Sequence, residues 1–325
     1  MAVPAAVSQA MPRPYAPAIR RANRGAWSAG SGGATLARRV AATAALLAVA
    51  CSSGPGDRGA SLGPAGAAGG AATTVAPPTT APPTTAGPSP VEARDPAALA
   101  GELATVEVAI RDPATPPARL GELGRRQQDL YRLLATDATG AEAVRARVPA
   151  SVAGAVEANL TAGVELRALL PPDPGVLPDW TIVAPPPVEE LLAAYRAAEA
   201  ATGVPWEYLA AIHLVETRFS RIRGNSTAGA QGPMQFLPAT WARYGQGGDI
   251  ADTDDAIAAA GRLLAANGAP DRVEGALRAY NPSDHYVAAV KAYAGVMAAD
   301  ERAILGYHEW QVYYFDTLLP VGYGG

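Results

Sequence analysis

The stretch WEYLAAIHLVETRF, residues 206–219, decides how the centre of this sequence folds. Pro205 suits the start of a helix, and apolar side chains then recur at helical spacing: Tyr208, Leu209, Ile212, Val215 and Phe219. Glu216 lies within that stripe, so we expect its carboxyl group to point inward and keep its proton near neutral pH, as a general acid requires. The alternative is an ion pair at the edge of the stripe with one of three arginines: Arg218, Arg221 or Arg223.

A glycine-rich loop, GAQGPMQ at residues 229–235, follows the helix. Gly229 and Gly232 allow backbone conformations and close approaches that other residues resist, so a ligand could lie against the main chain. Gln235 offers a donor and an acceptor to polar groups of such a ligand, and Met234 offers an apolar wall. The alternative is an ordinary turn between two helices.

A third segment ends in Tyr280 and Asn281. Val273, Leu277 and Tyr280 fall on one stripe of a short predicted helix, so Tyr280 points toward the core. A buried tyrosine hydroxyl needs a hydrogen-bond partner. The alternative is a packed ring with its hydroxyl at the surface.

In this order and spacing, the three segments resemble the family 23 lytic transglycosylases, over roughly residues 187–297. The resemblance implies a lysozyme-like (α+β) fold and cleavage of the glycan strands of peptidoglycan. It implies that Glu216 is the catalytic acid, that Tyr280 hydrogen-bonds its carboxyl group, and that substrate is contacted by five residues: Ser226, Gly232, Met234, Gln235 and Asn281.

The sequence departs from the family pattern in three places. Thr217 stands where serine is usual, which keeps the hydroxyl group. Pro233 replaces leucine and stiffens the loop. Asn281 is followed by Pro-Ser-Asp instead of Ala-Gly, which affects the expected shape of the cleft there.

The resemblance also implies a mechanism with one carboxylate. Glu216 would protonate the bond between N-acetylmuramic acid and N-acetylglucosamine and then act as a base, so that the C6 hydroxyl closes a 1,6-anhydro ring. One competitor is a hydrolytic muramidase resembling goose-type lysozyme, with a carboxylate from the 249–255 cluster holding a water. The other is a non-catalytic glycan-binding lipoprotein. The aspartates of that cluster are otherwise expected to cap a helix and fill its first turn: Asp249, Asp252, Asp254 and Asp255.

The leader indicates where the protein works. Residues 1–50 carry six arginines and no acid, and end in an apolar run before Cys51. This pattern predicts a signal peptide over 1–51, and LAVAC at 47–51 resembles a bacterial lipobox with Cys51 as the lipidated residue. The alternatives are an ordinary cleaved signal or an uncleaved anchor. Residues 52–92, rich in Pro, Thr, Gly and Ala, predict a disordered tether, so the expected location is the outer face of the cell membrane or the wall.

Composition excludes other classes of function. The chain carries 26 basic and 30 acidic residues, and the six leader arginines leave the remainder strongly acidic, which disfavours nucleic acid as a partner. With one cysteine, no intrachain disulfide can form. The histidines lack the spacing of metal ligands, so the sequence predicts neither a metal nor a cofactor: His213, His285 and His308.

Four further segments complete the predicted organisation. Three amphipathic stripes predict a small helical bundle over 93–170, which could be a spacer, a docking module for other wall enzymes or packing for the catalytic domain. A linker at 171–187 precedes the lysozyme-like domain, 188–300. An aromatic tail, 301–325, is expected to pack on that domain, with sugar stacking as the alternative. The predicted fold class is therefore mainly α, a lysozyme-like (α+β) domain preceded by a bundle.

Overall fold

The computed structural model describes residues 95–325. The signal peptide, the lipidation site Cys51 and the tether 52–92 predicted above lie outside this range. Within residues 95–325, no helix combines the length and the apolar character that crossing a bilayer requires.

Four helices, where the sequence predicted three, form the N-terminal part: α1 (Pro96–Arg111), α2 (Pro117–Leu134), α3 (Ala138–Arg145) and α4 (Ala150–Ala168). The additional helix is the short α3. The carboxylate of Asp137 accepts a hydrogen bond from the backbone N–H of Gly140 at 2.8 Å, and this N-cap starts the helix.

The predicted linker, 171–187, contains a short strand. Here β1 (Thr181–Ile182) pairs antiparallel with β2 (Ile222–Arg223), which lies just beyond the central helix. This pairing ties the linker to the region that carries Glu216, so the segment does more than separate two parts of the chain.

Seven helices follow and confirm the mainly α prediction: α5 (Val188–Thr202), α6 (Trp206–Thr217), α7 (Pro238–Tyr244), α8 (Thr253–Ala266), α9 (Val273–Tyr280), α10 (Asp284–Ala299) and α11 (Ala303–His308). The most enclosed of the central helices is α6, which carries Glu216 and packs against α5, α8 and α10. A helix that is apolar nearly all round is stable only when surrounded in this way.

The C-terminal tail folds as a hairpin, β3 (Val312–Tyr314) with β4 (Thr317–Leu319). Just before it, the indole N–H of the buried Trp310 donates to Gln127 Oε1 at 3.0 Å. Gln128 of α2 bonds both backbone groups of Gln311. The tail therefore packs against the N-terminal helices as well as the lysozyme-like part.

One hydrophobic core runs through all of these helices. It joins side chains from α1 and α4, such as Leu103 and Leu160, with Leu214 of α6 and Tyr286 of α10. The longest shared surface between helices is that of α4 with α10. Because burial is what stabilises amphipathic helices, the N-terminal helices support the helices around Glu216 directly.

Candidate active site

Glu216 lies in the last turn of α6, which ends abruptly. Three successive residues, Arg218, Phe219 and Ser220, adopt the left-handed conformation with φ of 54°, 58° and 65°, a region that non-glycine residues rarely enter. The Thr217 hydroxyl donates to the carbonyl of Pro233 at 2.6 Å and accepts from the Ser220 N–H at 3.1 Å. Two departures from the family pattern, Thr217 and Pro233, thus meet in one hydrogen bond between the helix end and the glycine-rich loop.

The carboxyl group of Glu216 has one partner. The Tyr286 hydroxyl donates to Oε1 at 2.8 Å, whereas the buried Oε2 has no hydrogen-bond partner among residues 95–325. Burial raises the pKa of Glu216 to about 8, against a smaller lowering by the Tyr286 hydrogen bond. Within the described chain Glu216 forms no ion pair with an arginine, so the inward carboxyl group holds a proton near neutral pH.

Glu216 opens onto a cavity of about 290 Å³. Ser226 and Gln235, two of the predicted substrate contacts, line the same cavity. The predicted linker, to which the sequence assigned no site role, and the tail also line this cavity, with Val176, Leu177, Pro178, Asp179, Trp180, Val312, Tyr313 and Tyr314. Tail aromatics therefore border the cavity, as the sugar-stacking alternative required, while Trp310 packs in the core.

Internal hydrogen bonds hold the glycine-rich loop in shape. Gly232 has φ of 73°, and a Cβ atom there would lie 1.8 Å from the carbonyl oxygen of Ile250, so only glycine fits. Gln235 donates from Nε2 to the Gly232 carbonyl at 2.9 Å, and the Ser226 Oγ accepts from the Ala230 N–H at 3.0 Å. Gly232 itself lines a neighbouring cavity of about 260 Å³.

The structure corrects three predicted roles. The Tyr280 hydroxyl donates to the Met234 carbonyl at 2.5 Å, so the tyrosine on Glu216 is Tyr286. The Met234 side chain is fully buried in the core and offers no wall to a sugar. Asn281 is also buried, and its side-chain oxygen accepts from the Ser283 N–H at 3.1 Å, a local turn that Asn-Pro-Ser favours.

Tyr286 was missed because the family resemblance assigned the contact with Glu216 to Tyr280, and Tyr286 is a second inward tyrosine. Its ring stacks on that of Tyr280 with centroids 6.4 Å apart and planes 6° from parallel. Both lie on apolar helix faces, and both hydroxyls needed a partner. The available signal, a buried phenol, did not distinguish them.

The aspartate cluster serves the start of α8. Asp252 is the N-cap and accepts from the Asp255 N–H at 2.9 Å, while Asp255 accepts from the Asp249 N–H at 2.8 Å. Asp254 lies in the first turn. These contacts confirm the capping prediction. In the described part of the chain, no group of three or more His, Cys, Asp or Glu side chains is arranged to hold a metal ion.

Residues 193–302 match the family model of the transglycosylase SLT domain. This match supports a lysozyme-like lytic transglycosylase domain at these residues, and with it a peptidoglycan-cleaving activity of the lytic transglycosylase type. It begins within α5 and ends just before α11, so α1 to α4, β1 and the hairpin lie outside it. Comparisons with curated proteins and with solved structures gave no match.

Proposed function

We propose that this protein cleaves the β-1,4 bond between N-acetylmuramic acid and N-acetylglucosamine in peptidoglycan and leaves a 1,6-anhydro-N-acetylmuramic acid end. The observation that carries the proposal is Glu216, which lines a 290 Å³ cavity and whose buried Oε2 has no hydrogen-bond partner in the described chain. Burial favours the protonated form of its carboxyl group by raising the pKa to about 8. Ser226 and Gln235, on the same cavity, are the proposed sugar contacts.

The chemistry requires one carboxyl group used twice. Glu216 donates its proton to the glycosidic oxygen, the C1–O4 bond breaks, and N-acetylglucosamine leaves with a free 4-hydroxyl group. The carboxylate then takes the proton of the muramic acid C6 hydroxyl while O6 bonds to C1. No water is consumed and Glu216 regains its proton. Since both reacting atoms belong to one sugar, ring closure gains from proximity.

The nearby carboxylates support this single-acid scheme. Asp249, Asp252 and Asp255 accept backbone hydrogen bonds at the start of α8, and none of them lines the cavity of Glu216. The other acid that lines this cavity is Asp179, which is exposed and comes from the predicted linker. If the enzyme were instead a hydrolytic muramidase, Asp179 is the group we would examine for holding a water.

Digestion of purified peptidoglycan in water enriched in ¹⁸O tests the proposal. We expect mass spectrometry to find anhydro ends that carry no label and are lighter by one water than reducing ends. Predominantly labelled reducing ends would establish hydrolysis instead, and the variant Asp179→Asn would then show whether that residue serves the water. No cleavage by a folded wild-type protein would support the non-catalytic, glycan-binding alternative.

We also propose that Cys51 carries a lipid that holds the protein at the outer face of the membrane. The support is the basic leader, the apolar run and the lipobox-like LAVAC that ends in this cysteine. Cells fed a labelled fatty acid should label the wild-type protein and leave Cys51→Ala unlabelled. Equal labelling of both would rule the anchor out.

A further inference from the structure

A second cavity, of about 110 Å³, lies next to the cavity of Glu216. Val215, Arg218 and Tyr313 line both cavities, so the two are neighbours across the end of α6. The rest of its lining comes largely from α2, α4 and the hairpin, outside residues 193–302. This cavity is therefore formed by the SLT domain together with the helices and the hairpin that lie outside it.

Three arginines, Arg132, Arg167 and Arg218, line this second cavity. Two acids lie near them. Asp316 lies 3.4 Å from Arg132 and 4.0 Å from Arg167, and its side chain is 82 % exposed. The partly buried Asp129 accepts a hydrogen bond at 3.4 Å from the hydroxyl of Tyr313, which lines the cavity. Burial lowers the pKa of Arg132, and the positive charges of Arg218 and Arg167 lower it further. The three arginines thus outnumber the two acids near them.

Arg218 is the least compensated of the three. Its guanidinium donates to the Leu214 carbonyl at 2.6 Å and lies 6.0 Å from the centroid of the Trp310 ring. It forms no ion pair within residues 95–325, and burial lowers its pKa. A cation removed from water without a counter-charge is costly, so a site built this way fits an anionic ligand.

The cavity size limits that ligand. The volume of this second cavity, about 110 Å³, is less than half that of the cavity of Glu216, about 290 Å³. The smaller cavity suits a short branch of a substrate better than a further sugar ring, and arginine is the side chain best suited to bind a carboxylate.

We propose that this second cavity binds the carboxylate-bearing branch at C3 of muramic acid while the glycan lies beside Glu216. This inference rests on the proposed function, since it assigns part of the same substrate. The carboxylate has two sources, the lactyl group of a peptide-free strand or the peptide stem attached to it. In both cases Arg218 and Arg167 bind the charge, and the N-terminal helices help select the substrate.

Three substrates separate the sources. These are glycan strands with intact stems, strands whose stems have been removed so that lactyl carboxylates are free, and the same stem-free strands with the carboxylates converted to methylamides. The full-chain protein is compared with Arg218→Gln and Arg167→Gln. The control is the variant Arg119→Gln, which removes the same charge. Arg119 is an exposed residue of α2 that lines neither cavity.

We expect KM to rise about tenfold in Arg218→Gln and about threefold in Arg167→Gln on a carboxylate-bearing substrate, with kcat within a factor of two. On the methylamide strands the variants should match wild type, as Arg119→Gln should on all three. An effect on stem-free strands identifies the lactyl carboxylate, and an effect confined to intact strands identifies the stem. Equal losses on all three substrates, or none on any, would overturn the proposal.

Folding and activity are controlled separately. Arg167 is partly exposed and makes one long ion pair, so Arg167→Gln carries the test if Arg218→Gln does not fold. If wild type cleaves nothing, calorimetry tests the cavity with two small ligands. N-acetylmuramic acid has a free lactyl carboxylate, and N-acetylmuramoyl-L-alanine has the carboxylate of the first stem residue instead. Two proteins are compared, Glu216→Gln and the triple variant that also carries Arg167→Gln and Arg218→Gln. If the triple variant binds either ligand about tenfold more weakly, the anion site in the second cavity is supported even though the proposed activity has failed. Unchanged or absent binding would reject it.

Discussion

Two titratable side chains, His213 and Glu216, lie one turn apart on α6 and differ in how fully their polar atoms are hydrogen-bonded. Both ring nitrogens of His213 are hydrogen-bonded at 2.8 Å, to the Tyr195 hydroxyl and the Ser220 Oγ, and the ring is fully buried. Glu216 has one bonded oxygen and one without a partner, beside a cavity.

The difference separates a structural group from a chemical one. Both hydrogen-bonding groups of the His213 ring are occupied. Its bond to Ser220 helps to hold the left-handed turn that ends α6. Burial lowers its pKa to about 3, so it stays neutral. Glu216 keeps a proton and a free oxygen, which is what a general acid needs. Burial alone therefore does not indicate function, and the two residues differ in whether every polar atom has a partner.

The largest effect should come from Glu216→Gln, which keeps the shape of the side chain and removes the transferable proton. We expect release of soluble muropeptides to fall about 1000-fold, within the range for general acid–base groups. Near-wild-type activity in the folded variant would remove Glu216 from the mechanism.

The next largest effect should be His213→Ala, which should act on stability. Losing two buried hydrogen bonds and a packed ring should lower the free energy of unfolding by about 2–4 kcal/mol in urea denaturation. His285→Ala is the matched control, because His285 is exposed and contacts only Glu165 in the described structure; it should cost under about 1 kcal/mol. If His213→Ala kept the stability of wild type and lost activity, the assignment of His213 as a structural residue and of Glu216 as the catalytic one would be wrong.

Tyr286→Phe should have a smaller effect that acts through Glu216. Its hydrogen bond favours the charged carboxylate, so its removal should raise the pKa of Glu216 further. We expect activity to drop about tenfold, and the alkaline fall of kcat/KM, near pH 8 in wild type, to move to higher pH. Tyr280→Phe loses only the hydrogen bond to the Met234 carbonyl, so it should change the alkaline fall of kcat/KM little. The reverse order of the two tyrosines would restore the role predicted for Tyr280.

The smallest effect should be on the pH dependence of stability. Glu216 has a folded pKa raised from about 4.5 to about 8, so the native state holds the extra proton and stability falls as pH rises between these values. His213 has a folded pKa lowered from about 6.5 to about 3, so stability falls as pH drops through that window. Urea titrations at pH 6 and pH 8 should show Glu216→Gln gaining about 1 kcal/mol on wild type at the higher pH. A constant difference between the two proteins would contradict the raised pKa.

Helical periodicity was sufficient to predict the direction of Glu216. The apolar residues four and seven positions before it, Ile212 and Leu209, define an inward face whatever lies beyond the helix. Backbone freedom at Gly232 and an N-cap within the 249–255 cluster were likewise predicted, because backbone conformation and capping depend on neighbours in the chain. The close approach of the Ile250 carbonyl to Gly232 is a tertiary contact that was not predicted.

Only the tertiary structure decided which groups meet Glu216. Periodicity fixes how Tyr280 and Tyr286 point relative to their own helices, and the packing of α9 and α10 against α6 decides which hydroxyl reaches the carboxyl group. The same holds for the cavity wall, to which Trp180 contributes from before α6 in the chain and Tyr313 from about 100 residues after it. Local propensities act over a few residues, whereas such contacts are set by the burial of apolar faces across the whole core.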